Sequence, residues 1–84
     1  MSLKLYTFDG QIIKETYLIP NNFTGIVEYS NGTKTWWVNA KRHRIDGPAI
    51  EYYSGRKEWW VDDIRHTEEQ CKLLHSIMKL KGIT

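Results

Sequence analysis

The chain has one cysteine, Cys71, in 84 residues, so an intrachain disulfide and a multi-cysteine zinc site are both excluded. That usage fits a reducing compartment. Prolines number only 2, at Pro20 and Pro48, and no apolar run approaches the ~20 residues that cross a membrane. The start, MSLKLYTFDG, lacks the apolar core of a signal peptide, which makes a cytoplasmic protein the expectation. Charge of one sign is also scarce: 12 basic and 10 acidic residues leave +2. This is far from the strongly basic footprint usual for nucleic-acid binding. No phosphate-binding glycine loop or EF-hand spacing occurs. Aromatic residues, by contrast, are abundant, with 4 Trp, 5 Tyr and 2 Phe. Bulky apolar side chains argue against disorder. A chain of this length forms one domain and buries about 60–65% of its unfolded surface, so its core is thin.

An internal repeat organises the chain. Residues 28–43, EYSNGTKTWWVNAKRH, align without gaps on residues 51–66, EYYSGRKEWWVDDIRH, at an offset of 23. Nine of 16 positions are identical, including both Trp-Trp-Val triplets. Each unit reads as a β-hairpin about a glycine turn. A type I turn over Ser30-Asn31, with Gly32 left-handed, sets Glu28 opposite Lys34, and the same turn sets Glu51 opposite Lys57. A two-residue Ser54-Gly55 turn would instead oppose Glu51 to Glu58, which is unfavourable. A degenerate hairpin over residues 3–18 precedes repeat 1 (24–46) and repeat 2 (47–66). The expected fold is mostly β, a six-stranded antiparallel meander followed by one amphipathic helix over 67–82. The helix begins at the capping box Thr67-Glu68-Glu69-Gln70 and runs to Lys81, with Gly82 as its stop. Cys71, Leu74 and Met78, with Leu73, Ile77 and Leu80, form the apolar stripe expected to lie on the sheet; dimerisation is the alternative use.

The stretch His43-Arg44-Ile45-Asp46-Gly47-Pro48-Ala49, followed by Gly55 and Trp59-Trp60-Val61, resembles the His-Arg-x-Asp-Gly-Pro-Ala repeat of tailed-phage and large-virus proteins, a relative of MORN-type repeats. The resemblance covers residues 24–66, about half of the chain. It departs at Thr24-Gly25-Ile26, where Gly-Pro-Ala would stand, and again after His66. It implies stacked β-hairpins and an interaction role without catalytic residues. The resemblance implies a phage-type accessory protein of the host cytoplasm, and with the small size it makes a host toxin or defence factor the expected target; an RNA-binding module and a structural, self-assembling β-repeat are the alternatives.

Adjacent strand residues point to opposite faces, so each Trp-Trp pair divides between the two sides of the sheet. Trp36 and Trp59 share a face with the Glu–Lys pairs, whereas Trp37 and Trp60 share the other with Tyr29 and Tyr52. The indoles are either core and cross-strand residues or, one per repeat, an interaction surface. Lys41-Arg42-His43-Arg44 and Arg65-His66 fill matching connections. The candidate protein- or RNA-binding residues are Lys34, Trp36, Arg42, His43, Arg44, Arg56, Lys57, Trp59, Arg65 and His66. Basic groups beside aromatic rings suit single-stranded nucleic acid. The competing reading is a solvated loop whose arginines pair with Asp46, Asp62 or Asp63.

No enzyme, metal or cofactor is expected. Equivalent histidines in successive hairpins lie two strands apart, roughly 9–10 Å, too far to share one zinc ion. Each is expected to hydrogen-bond within its own loop. His75 is expected on the polar side of the helix, and Cys71 reads as a small apolar residue.

Overall fold

A computed structural model describes residues 2–82. The architecture is mostly β and antiparallel, with one C-terminal helix. Its strands are β1 (Leu3–Tyr6), β2 (Ile12–Thr16), β3 (Gly25–Glu28), β4 (Lys34–Val38), β5 (Lys41–Arg42), β6 (Ile50–Glu51), β7 (Lys57–Val61) and β8 (Ile64–His66), followed by α1 (Glu68–Leu80). In space the order is β2-β1-β3-β4-β6-β7-β8, with β5 against β4.

The hairpin turns follow from their glycines. Tyr29 N–H donates to Thr33 O and Gly32 N–H to Tyr29 O, at 2.8 and 2.9 Å, with Gly32 at φ +93°. The bonds recur around Gly55 and, in the first hairpin, around Gly10. Glu28 therefore stands opposite Lys34, and Glu51 opposite Lys57, as the charge argument requires. The register extends further than the repeat. Glu15, Lys4, Glu28, Lys34, Glu51 and Lys57 stand side by side across six strands, alternating in sign. One residue along, Leu5, Val27, Thr35, Ile50 and Glu58 form a buried row on the opposite face.

Eight strands replace the expected six because each repeat holds three. Asn39-Ala40 and Asp62-Asp63 are two-residue turns with positive φ at both positions, 49° and 64°, then 50° and 66°. That is the type I′ geometry that matches strand twist. It folds Lys41–Arg42 back on Val38 and Trp37, and Ile64–His66 back on Val61 to Trp59. Lys41-Arg42 and Arg65-His66, expected in connections, are thus strand residues, while His43-Arg44 remain in the connection to β6.

The first hairpin also docks differently from a simple meander, with β3 pairing β1 instead of β2. The 17–24 connection must then pass β1, and it uses this path to cover a face of the sheet. Leu5, Phe23 and Val27 form the core cluster there, with Leu3, Ile19, Tyr29 and Trp37 packed around it.

The helix covers the other face near β7. Its capping box is complete: Gln70 N–H donates to Thr67 Oγ1 at 3.1 Å, and Thr67 N–H to Gln70 Oε1 at 2.9 Å. Cys71 is buried, and Leu74 and Met78 are half-buried. Leu73, Ile77 and Leu80 are exposed, so only half of the apolar surface lies on the sheet. His75 is half-buried rather than on the polar side, at a cleft it shares with Trp59 and Pro48.

Candidate functional site

The His-Arg-Ile-Asp-Gly-Pro-Ala segment builds a clamp. Arg44 lays its guanidinium 4.2 Å above the Trp36 ring. Its Nε donates to Asp46 at 3.2 Å, and its Nη1 donates to Pro48 O at 3.2 Å and to Glu51 at 3.4 Å. Gly47 lies against this fork: a Cβ there would stand 2.8 Å from Arg44 Cζ. Cys71 closes the underside, its thiol 3.5 and 3.6 Å from the carbonyls of Arg44 and Ile45. Burial, and then the nearby Asp46 carboxylate, raise the Cys71 pKa and keep it a thiol.

The preceding residues lock the two repeats together. Arg42 N–H donates to Asp63 Oδ1 and Asp63 N–H to Arg42 O, both at 2.9 Å. The Arg42 backbone bond, and then its guanidinium and Lys41, outweigh partial burial and hold Asp63 below the usual carboxylate range. Arg42 also stacks on Trp60 of the second repeat, 3.9 Å from the ring centroid. His43 Nδ1 accepts from Asp62 N–H at 3.1 Å, so this histidine bridges the repeats and does not bond within its own loop. His66 does bond locally, its Nδ1 lying 2.8 Å from Ile64 O.

On the face opposite the charged row, both repeats tie an indole to the residue two positions earlier. Trp37 Nε1 donates to Thr35 Oγ1 at 2.6 Å, and Trp60 Nε1 to Glu58 Oε1 at 3.0 Å. Glu58 is only 7% exposed, yet it receives Arg56 at 3.2 Å and Arg65 at 3.8 Å. Burial works against its ionisation. The Trp60 N–H, Arg65, the Tyr52 hydroxyl and Arg56 together overcome that and lower its pKa. Beside this cluster an open groove of about 680 Å³ runs across the strands. Its lining includes Tyr29, Thr35, Trp37, Ile50, Tyr52 and Tyr53, with Leu3 and Ile19 from the N-terminal half and Arg42 alongside.

Of the sequence-derived candidates, His43 bridges the repeats and His66 stands opposite Trp59, and the other eight fall into two groups. Lys34, Lys57, Trp36, Trp59 and Arg44 belong to the charged-row face, where Arg44 covers Trp36 and Trp59 lies against the helix cleft. Arg42, Arg56 and Arg65 belong to the groove face or its rim. Each arginine has a carboxylate partner; Arg44–Asp46 is a pair within one loop, whereas Arg42–Asp63 and His43–Asp62 join the two repeats. Sequence reasoning did not single out Tyr29, Tyr52 and Tyr53. The signal was present in the repeated Tyr29/Tyr52 pair, which shares strand parity with Trp37 and Trp60. Among the described residues, no group of three or more His, Cys, Asp or Glu side chains could hold a metal ion. No known protein family, curated protein or solved structure matches the chain.

Proposed function

We propose that this chain is a small non-enzymatic binding protein that grips another protein through its aromatic groove. The partner class the repeat resemblance favours is a host defence protein, such as a toxin, which the chain inhibits. The observation that carries the reading is the groove itself: Trp37 on β4, Tyr29 and Tyr52 at the mouths of the two hairpin turns and Tyr53 within the second turn, around about 680 Å³. Tyrosine, tryptophan and arginine are the side chains that dominate binding energy at protein interfaces. The backbones of Tyr29 and Tyr52 are fixed by the turn-closing bonds to Thr33 O and Arg56 O, which limits the ordering they require on binding. Tyr53, 71% exposed, is free to make new contacts at the rim.

A second reading, single-stranded RNA, draws support from one corner of the same face. Arg56 and Arg65 converge on the single carboxylate of Glu58 beside Tyr52 and Trp60, leaving positive charge next to stacking rings. Backbone phosphates and bases would meet such a corner, and their binding weakens steeply with salt.

The test is affinity capture from host lysate, with and without ribonuclease, using the wild-type chain and Tyr52→Ala/Tyr53→Ala. Circular dichroism verifies the fold of the variant. The protein-binding reading expects one protein retained after ribonuclease and lost from the folded variant. Retention by the variant overturns the groove assignment. Loss upon ribonuclease, with steep salt dependence, overturns direct protein contact in favour of RNA.

A further inference from the structure

The helix carries two apolar stripes, and the sheet uses one of them. Cys71, Leu74 and Met78 turn inward, while Leu73, Ile77 and Leu80 remain 62%, 40% and 88% exposed. The exposed residues are spaced by four and then three, the a/d spacing of helices that pair. They place one aliphatic side chain on each successive turn along one side of α1.

The helix charges indicate what would cover this stripe. Glu68 and Glu69 occupy the first turn, where Lys72 already pairs with Glu68 at 3.2 Å and leaves Glu69 as the free acidic charge, with Lys79 in the last turn and Lys81 at the C-cap. Two copies of α1 laid side by side and antiparallel bring the acidic end of each to the basic end of the other. Their macrodipoles then oppose as well, whereas a parallel pair sets like ends together. One self-complementary patch suffices for a two-fold interface. We propose that the chain self-associates through α1 as an antiparallel two-fold pair with Leu73, Ile77 and Leu80 at the seam.

A 13-residue helix is about 20 Å long. The seam therefore falls short of the roughly 1,200–2,000 Å² of standard stable interfaces, and the dimer forms and dissociates with concentration. No helix residue lines the aromatic groove, so pairing leaves both grooves open. The dimer would present them as a bivalent unit, gaining avidity for a repeated or dimeric partner.

Sedimentation equilibrium from micromolar to millimolar concentration tests this, with Ile77→Glu, Ile77→Lys and their equimolar mixture. The wild-type mass is expected to rise from monomer towards dimer. Each variant, with unchanged helical circular dichroism, is expected to associate at least about tenfold more weakly. The mixture recovers the dimer, because Ile77 lies close to its counterpart across the seam. A wild-type chain monomeric throughout, a dimer that survives Ile77→Glu, or a mixture that remains monomeric overturns the proposal.

Discussion

Replacing Gly47 by alanine should destabilise the protein, and Arg44 determines the sign. The backbone of Gly47 lies outside the left-handed region, so an alanine is conformationally acceptable there. On that ground alone the substitution would stabilise by about 0.4–1 kcal/mol, through lost freedom of the unfolded chain. The new Cβ, however, stands 2.8 Å from Arg44 Cζ and 2.9 Å from its Nε, so the guanidinium must retreat. Retreat forfeits the stack on Trp36, worth about 0.5–1 kcal/mol. It also forfeits the bond to Pro48 O, worth about 1 kcal/mol. The ion pairs with Asp46 and Glu51 add no more than about 1 kcal/mol, since both carboxylates are well exposed. The net cost is about 1.5 kcal/mol, a fall in Tm of roughly 6–12 °C for a domain of this size. A double-mutant cycle with Arg44→Ala isolates the cause. With Arg44 removed, Gly47→Ala should become neutral or stabilising, read from urea and thermal melts of all four proteins. Equal destabilisation in both backgrounds, or stabilisation of the wild type, would refute the clamp.

Ala40 sits at φ +64°, where an L side chain costs about 1–2 kcal/mol relative to glycine. Ala40→Gly should therefore raise Tm by several degrees, even after glycine's larger unfolded-state entropy is counted. Glu58 has a folded pKa below its ordinary 4.5, so it contributes stability above that value and loses it as pH falls through the folded pKa. Glu58→Gln should flatten that acid-side loss while lowering stability at neutral pH, because Arg56 and Arg65 lose their shared partner. Denaturant midpoints measured from pH 7 down to pH 3 distinguish the two slopes.

The legible part of the fold was the part written in glycine and charge. Gly32 and Gly55 mark the three-residue turns, and the facing Glu and Lys residues select their register. The short strands β5 and β8 were hidden because their turns use Asn39-Ala40 and Asp62-Asp63, which carry no glycine. Pairing of β3 with β1 was equally hidden, since β1 and β2 both offer an edge and local sequence does not rank them. The same holds for the candidate site. Arg44 and Trp36 read as an exposed cation beside an exposed ring, but Gly47, Pro48 and Glu51 bind the pair into the scaffold. Tyr29 and Tyr52 looked like ordinary strand residues until the 17–24 connection left part of their face uncovered.

The row from Glu15 to Lys57 has a consequence for how the sheet finds its alignment. A one-residue slip of β1 or β3 would turn its charge to the opposite face and expose Leu5 or Val27. A two-residue slip keeps the faces but sets Glu28 against Trp36 and Glu51 against Trp59 in the paired strands. The opposite slip sets them against Gly32 and Gly55, so either one parts each glutamate from the lysine it faces. A row of alternating charges, each interaction of small worth alone, thus adds to the thin core in selecting the alignment of six strands.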